Sequence, residues 1–141
     1  MNDALDVANY IIAFCNTRNI PITHLKLQKL LYFVQANFLF TLNEPCFNDE
    51  IIALPYGPVV RSVFEEFRSR NVGASQLTSS DNNHIHLLHI DLIDETLVAL
   101  AKRDAFTLVE MTHNQSPWRN AFNRGIGTEI ENSSIREFFR E

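Results

Sequence analysis

The chain has 141 residues, 45% of them hydrophobic and 21% charged, with a formal net charge of −5. That length is enough for one self-sufficient core, and the composition is that of an ordinary globular domain. Twelve basic residues against seventeen acidic ones argue against general nucleic-acid binding, which depends on neutralising phosphates with Lys and Arg.

Taken in chain order, the first helix is expected from about Ala4 to Asn16, with Asp3 as its N-cap. Leu5, Ala8, Ile12 and Cys15 share one face at helical spacing. Pro21 blocks continuation, and Thr23 is a natural N-cap for a second helix. That second helix carries two apolar stripes, one through Leu27, Leu30, Leu31, Val34 and Phe38, the other through Leu25, Tyr32, Phe33, Leu39 and Phe40. Lys26, Lys29 and Gln35 fill only a narrow sector, so this helix belongs at the centre of the fold.

Asn43-Glu44-Pro45 signals a turn, and Glu50 to Leu54 reads as a short strand. Gly57-Pro58 reads as the start of a third helix, because Pro at the first helical position sacrifices no hydrogen bond. Val60, Val63, Phe64 and Phe67 then form its buried face. Residues 71–83 are polar and read as a loop. His84 to Ile90 is expected as a strand that pairs with Glu50–Leu54 in a small ribbon resting on the helices.

A fourth helix is expected from about Leu92 to Lys102 with Asp91 as its cap, and a fifth from Ala105 to Thr112 capped by Asp104. Ser116-Pro117 opens a short helix through Phe122, broken by Gly125 and Gly127. Ser134-Ile-Arg-Glu137 is a capping box for a last helical turn. The expected architecture is mainly α: a compact bundle of about five to six helices around a central apolar helix, with a small two-stranded β element. Residues 1–141 read as a single domain, and the eleven phenylalanines imply an aromatic-rich core.

Cys15 and Cys46 are too few for a disulfide scaffold, and no signal peptide or membrane-length apolar run stands out. The expectation is a cytoplasmic protein with no membrane partner. His84, His86 and His89 suggest a metal cluster, but on a strand His84 and His86 face one side and His89 the other, and no Cys or carboxylate sits at ligand spacing. Cys46 with His113 is conceivable as a nucleophile and base, although nothing local supports it. No phosphate-binding loop, nucleophile elbow or paired-carboxylate motif is present, so no catalytic residue, metal or cofactor is called. Thr112-His113-Asn-Gln-Ser-Pro117-Trp118 is the most distinctive string. One reading has His113 hydrogen-bonding a loop carbonyl while Trp118 packs on the central helix; the other makes this corner a partner surface anchored by Trp.

Several strings together resemble one family. Val7-Ala-Asn-Tyr10, Ile22 to Phe33, Phe47, Tyr56-Gly-Pro-Val-Val60, Thr112-His113 and Pro117-Trp118 resemble, in order and spacing, the Panacea domain, the SocA-like antitoxin domain of toxin–antitoxin systems. Leu54-Pro55 departs from the aromatic residue and charge that often precede the Tyr-Gly-Pro step, which touches the local strand geometry. The resemblance implies an antitoxin, not an enzyme, that neutralises a cognate toxin by direct contact. An alternative it implies is an adaptor that delivers a toxin to an ATP-dependent protease; a metal- or Cys/His-dependent hydrolase is the alternative from another class. A transcriptional autoregulator is disfavoured by the negative charge, and a homo-oligomer is compatible with the chain. Partner contact is assigned to His113, Trp118, Phe138 and Phe139. Thr23, Leu25, Lys26, Leu27, Gln28, Lys29, Leu30, Tyr32, Gly57, Pro58, Thr112 and Pro117 are motif positions expected to be structural.

Overall fold

A computed structural model describes residues 2–70 and 85–140. Within them lie α1 (Ala4–Thr17), α2 (His24–Leu42), β1 (Ile51–Leu54), β2 (Gly57–Val60), α3 (Arg61–Arg70), α4 (Leu87–Leu100), α5 (Ala105–His113), α6 (Ser116–Arg124) and α7 (Asn132–Arg140). The mainly helical expectation holds, and α2 is the centre: α1, α3, α4, α5, α7 and β2 all pack on it. Thr23 caps α2 through its hydroxyl, which accepts from Lys26 N–H at 3.3 Å. Leu27, Leu30, Leu31, Val34 and Phe38 are all fully buried, as their spacing requires.

The cap of α1 differs from expectation. Asp3 makes no side-chain cap bond. Asp49, far along the chain, accepts from Ala4 N–H at 3.1 Å instead. One orphan donor at the helix start is satisfied in either arrangement.

The β element forms from the expected first strand, with an unexpected partner. β1 pairs antiparallel with β2, in the register Ile51↔Val60, Ile52↔Val59, Ala53↔Pro58 and Leu54↔Gly57. Pro55 and Tyr56 are the turn between them, so the missing Pro55 N–H breaks no ladder bond. Residues 57–60 are therefore strand, and the helix read from Gly57-Pro58 begins only at Arg61. Side chains from α2 account for this. Gln28 Oε1 accepts from Val60 N–H at 2.8 Å, and Lys29 Nζ donates to Pro58 C=O at 2.6 Å. An extended backbone is the one that presents those two groups to α2. On its other edge β1 is covered by residues 127–130: Ala53 N–H donates to Thr128 C=O and Ile130 N–H to Ile51 C=O. Neither edge of β1 is left as a template for aggregation.

The strand expected over His84–Ile90 is not formed where residues are described. His84 and the polar segment 71–83 lie outside the described residues. From Leu87 the chain is already helix, and His86 rather than Asp91 is the N-cap, its Nδ1 accepting from Leu88 N–H at 3.3 Å. The cause is again remote: Asn2 Oδ1 accepts from His86 N–H at 3.0 Å and Asn2 Nδ2 lies 3.0 Å from His89 Nδ1. That fixes the helix start about one turn earlier than the sequence reading. The last helix also starts earlier, at Asn132, so Ser134 lies inside it rather than capping it. Asp104 caps α5 as expected, accepting from Thr107 N–H at 2.8 Å.

Candidate functional site

The distinctive strings converge on the β1–β2 hairpin. From α2, Gln28 and Lys29 hold β2. From α5 and α6, His113 Nε2 lies 2.9 Å from Pro55 C=O and Trp118 Nε1 donates to Leu54 C=O at 2.8 Å. The rings of His113 and Trp118 stack at 4.1 Å, and Trp118 stacks on Phe122 at 4.8 Å. Tyr32 OH donates to Gln115 Oε1 at 2.7 Å, tying the central helix to the same loop. His113 thus bonds a loop carbonyl, while Trp118 packs on β1 and Phe122 and is buried.

Gly57 is the tightest point. Its φ is +108°, and a Cβ there would stand 2.8 Å from Thr112 Oγ1 and 2.9 Å from Lys29 Cε. Thr112 Oγ1 donates to Val109 C=O, which holds it in place. Pro117 is buried in the first turn of α6. Lys29 is completely buried. Its ammonium donates to the Pro58 carbonyl, and burial lowers its pKa from 10.5 to about 7. Lys26 donates to Pro21 C=O at 3.1 Å, and burial lowers its pKa as well. Among the described residues these motif polar groups bond inward: Gln28, Lys26 and Lys29 to the backbone of other segments, Tyr32 to the Gln115 side chain, and Thr23 and Thr112 within their own helices. Leu27 and Leu30 are core, and Leu25 is half-buried.

The exposed rim of the hairpin is apolar. His24, Leu25, Leu54, Pro55, Tyr56 and Phe64 line a groove of about 260 Å³, and Tyr56 is 66% exposed. His24 Nε2 lies 3.0 Å from the Gln28 amide nitrogen. Burial, then Lys29, lowers its pKa.

A second groove, about 290 Å³, runs between α2, α4 and α7; Phe33, Phe40, Glu95, Ala99 and Phe139 are among its walls. Phe138 and Phe139 are both half-buried and meet edge to face at 5.1 Å. Phe139 also lies 6.4 Å from Tyr32. The four residues assigned to partner contact therefore fall in two places, His113 and Trp118 behind the hairpin and the Phe pair on α7.

The chemistry-bearing candidates do not assemble. Cys46 is buried, and burial drives its thiol up to about 12, far from a reactive thiolate. Its neighbour is the Asn2 amide, at 3.5 Å, whereas His113 is held at Pro55. Cys15 is buried and its pKa is also raised by burial. His86 and His89 lie ring to ring at 5.0 Å. No group of three or more His, Cys, Asp or Glu side chains among the described residues is arranged to hold a metal ion. Among those residues no helix is long and apolar enough to cross a membrane.

Two residues escaped the sequence reading. Asn2 links the N-terminus, Cys46 and the start of α4, and no local signal marks it. Gln35 accepts from Cys46 N–H at 2.8 Å and Phe47 N–H at 3.2 Å, and donates to Phe47 C=O at 2.9 Å. Its position seven after Gln28 and three after Tyr32, on one side of an otherwise apolar helix, was a usable signal.

Comparison with known proteins gives a consistent result. The family described as "Antitoxin SocA-like, Panacea domain" matches residues 27–119. The chain is also similar to a protein named "Antitoxin SocA" from Caulobacter vibrioides (strain NA1000 / CB15N), at 28% identity over 155 residues, covering 98% of this chain and 82% of that protein. No solved structure matches.

Proposed function

The chain belongs to the SocA-like antitoxin, Panacea domain family, and from that premise we propose that it neutralises a cognate toxin by direct protein contact. The family match is the observation that carries this reading. The site geometry supports it: the motif residues bond inward and build a rigid frame, while the apolar grooves lie at the surface, where a partner can bury them. In this reading residues 1–141 act as one domain in the cytoplasm, and the action is binding, not catalysis.

The test is co-expression with the product of the adjacent open reading frame. That product alone should arrest growth, and this chain should restore it and co-purify with the product as a stable complex. A neighbouring product that is harmless alone would remove the basis of the proposal. Toxin half-life distinguishes inhibition from delivery to a protease: a held toxin persists, whereas a delivered one disappears faster when this chain is present.

A further inference from the structure

Among the described residues eight large hydrophobic side chains are exposed: Phe40, Leu42, Tyr56, Leu87, Leu88, Val98, Phe106 and Ile126. Five of those eight lie on just two neighbouring stretches, the last turn of α2 and the length of α4. Scattered surface apolar residues need no explanation, but a contiguous set does. On α4 the residues Leu88, Asp91, Glu95 and Val98 follow one another at steps of three, four and three, which places them on one stripe of the helix. The opposite side, through Ile93, Thr96 and Leu97, is buried on the body of the protein. Along the outward stripe Glu95 accepts from Asn37 Nδ2 on α2 at 3.3 Å, while Leu88 and Val98 stand exposed.

Along most of its length the stripe's charge has one sign; the exception is the Val98 end, where Arg18 and Lys102 line the same pocket as Val98. The sequence contains no Lys or Arg between Lys29 and Arg61, and none from Ile85 to Ala101. Glu44, Asp91 and Glu95 are exposed there, and Leu87, Leu88 and Val98 are 82%, 83% and 75% exposed. The groove of about 290 Å³ opens on the same face, with Phe40 and Ala99 as apolar walls and Glu95 as its carboxylate. Phe139 lies in its wall, so this member of the α7 aromatic pair joins this face rather than the hairpin.

We propose that the outward face of α4, with the last turn of α2 and the Phe139 groove, grips the partner, and that the partner presents a basic surface with an apolar anchor. The assignment rests on the antitoxin reading for the partner's identity, but its chemistry comes from the charge pattern. Lys or Arg on the partner would meet Asp91 and Glu95 at the rim, and a large apolar side chain would enter beside Phe40. A second copy of this chain would set acid against acid, which is unfavourable. An anionic membrane surface is repelled for the same reason.

The probe is the purified product of the adjacent open reading frame, mixed with the full chain. Asp91→Lys with Glu95→Lys should weaken binding at least about tenfold at low salt, with the difference shrinking as salt rises. Val98→Gln should weaken it about as much at any salt, and Phe106→Gln, on α5, should leave it within about twofold. Thermal melts of all four proteins should coincide, because each changed residue is exposed. Wild-type affinity in both the reversed-charge and Val98 variants overturns the assignment. So does a perturbation of backbone amide NMR signals by the partner that maps to the hairpin tip instead of α4. A neighbouring product that never binds the wild type counts against the antitoxin reading instead. A Lys-rich amphipathic helical peptide then decides the surface on its own: shifts at α4 that a Glu-for-Lys version does not cause uphold it, and identical responses to both peptides refute it.

Discussion

Gly57→Ala should be among the most damaging single-methyl additions available in this chain. The added Cβ would stand 2.8 Å from Thr112 Oγ1 and 2.9 Å from Lys29 Cε, and both neighbours are buried. Neither is the loose end of a surface side chain. Thr112 is held by its bond to Val109 C=O, and Lys29 by its bond to Pro58 C=O. The backbone at Gly57 also has φ +108°, where a Cβ costs about 1–2 kcal/mol. Overpacking a filled interior adds about 1–3 kcal/mol. The expected loss is therefore about 3 kcal/mol, a large share of the ~5–15 kcal/mol that holds a domain together. For a chain of this length that lowers the melting temperature by about 10 °C. Urea unfolding followed by Trp118 fluorescence measures it directly, since Trp118 is the single tryptophan and is anchored to the same hairpin. Adding Thr112→Ala should return part of the loss by removing the nearer obstacle, so the two changes should be non-additive by about 0.5 kcal/mol or more. A Gly57→Ala protein within about 1 kcal/mol of wild type would refute the packing argument.

Other outcomes follow from the same frame. Lys29 has a folded-state pKa depressed to about 7 from 10.5, so the unfolded chain binds more protons between those values. Stability should rise by up to about 1.4 kcal/mol per pH unit from pH 7 toward pH 10, and the slope should level off below pH 7, where both states carry the proton. Lys29→Met should flatten that slope relative to wild type; parallel pH profiles of urea stability would contradict the buried-lysine account. Gln35→Leu strands the buried N–H groups of Cys46 and Phe47 and the Phe47 carbonyl, at about 3 kcal/mol or more, measurable by urea unfolding. Trp118→Phe keeps most of the stacking but loses the bond to Leu54 C=O, and should cost about 1–2 kcal/mol in urea unfolding followed by far-UV circular dichroism. Cys15 and Cys46 should react with a thiol reagent only at the rate of unfolding, because both are buried with raised pKa values.

Long periodic segments were legible from composition and spacing alone. α2 has nineteen residues, and its apolar stripes and Thr23 cap leave no competing strand pattern. α5 and α6 likewise carry their start signals in Asp104 and Pro117. The family was legible too, because its motif strings are residues with inward duties, and those duties demand particular side chains. Lys29 must reach Pro58, Gly57 must leave room for it, and Trp118 must reach Leu54.

Short segments were decided by contacts remote in sequence. Gly57–Val60 reads as a helix start by local rules, yet Gln28 and Lys29 bind its backbone in extended form from 32 and 29 residues away. Leu87 to Ile90 read as the end of a strand, yet Asn2 and the His86 cap begin a helix there. In both places local propensity differs by a few tenths of a kcal/mol per residue; at β2 a buried hydrogen bond left unmade costs about 1–3 kcal/mol, and at α4 a helix cap is worth about 1 kcal/mol. The site divides in the same way. The apolar and acidic character of residues 85–99 is written in the sequence, but which of those residues face outward depends on where α4 begins, and tertiary hydrogen bonds set that start.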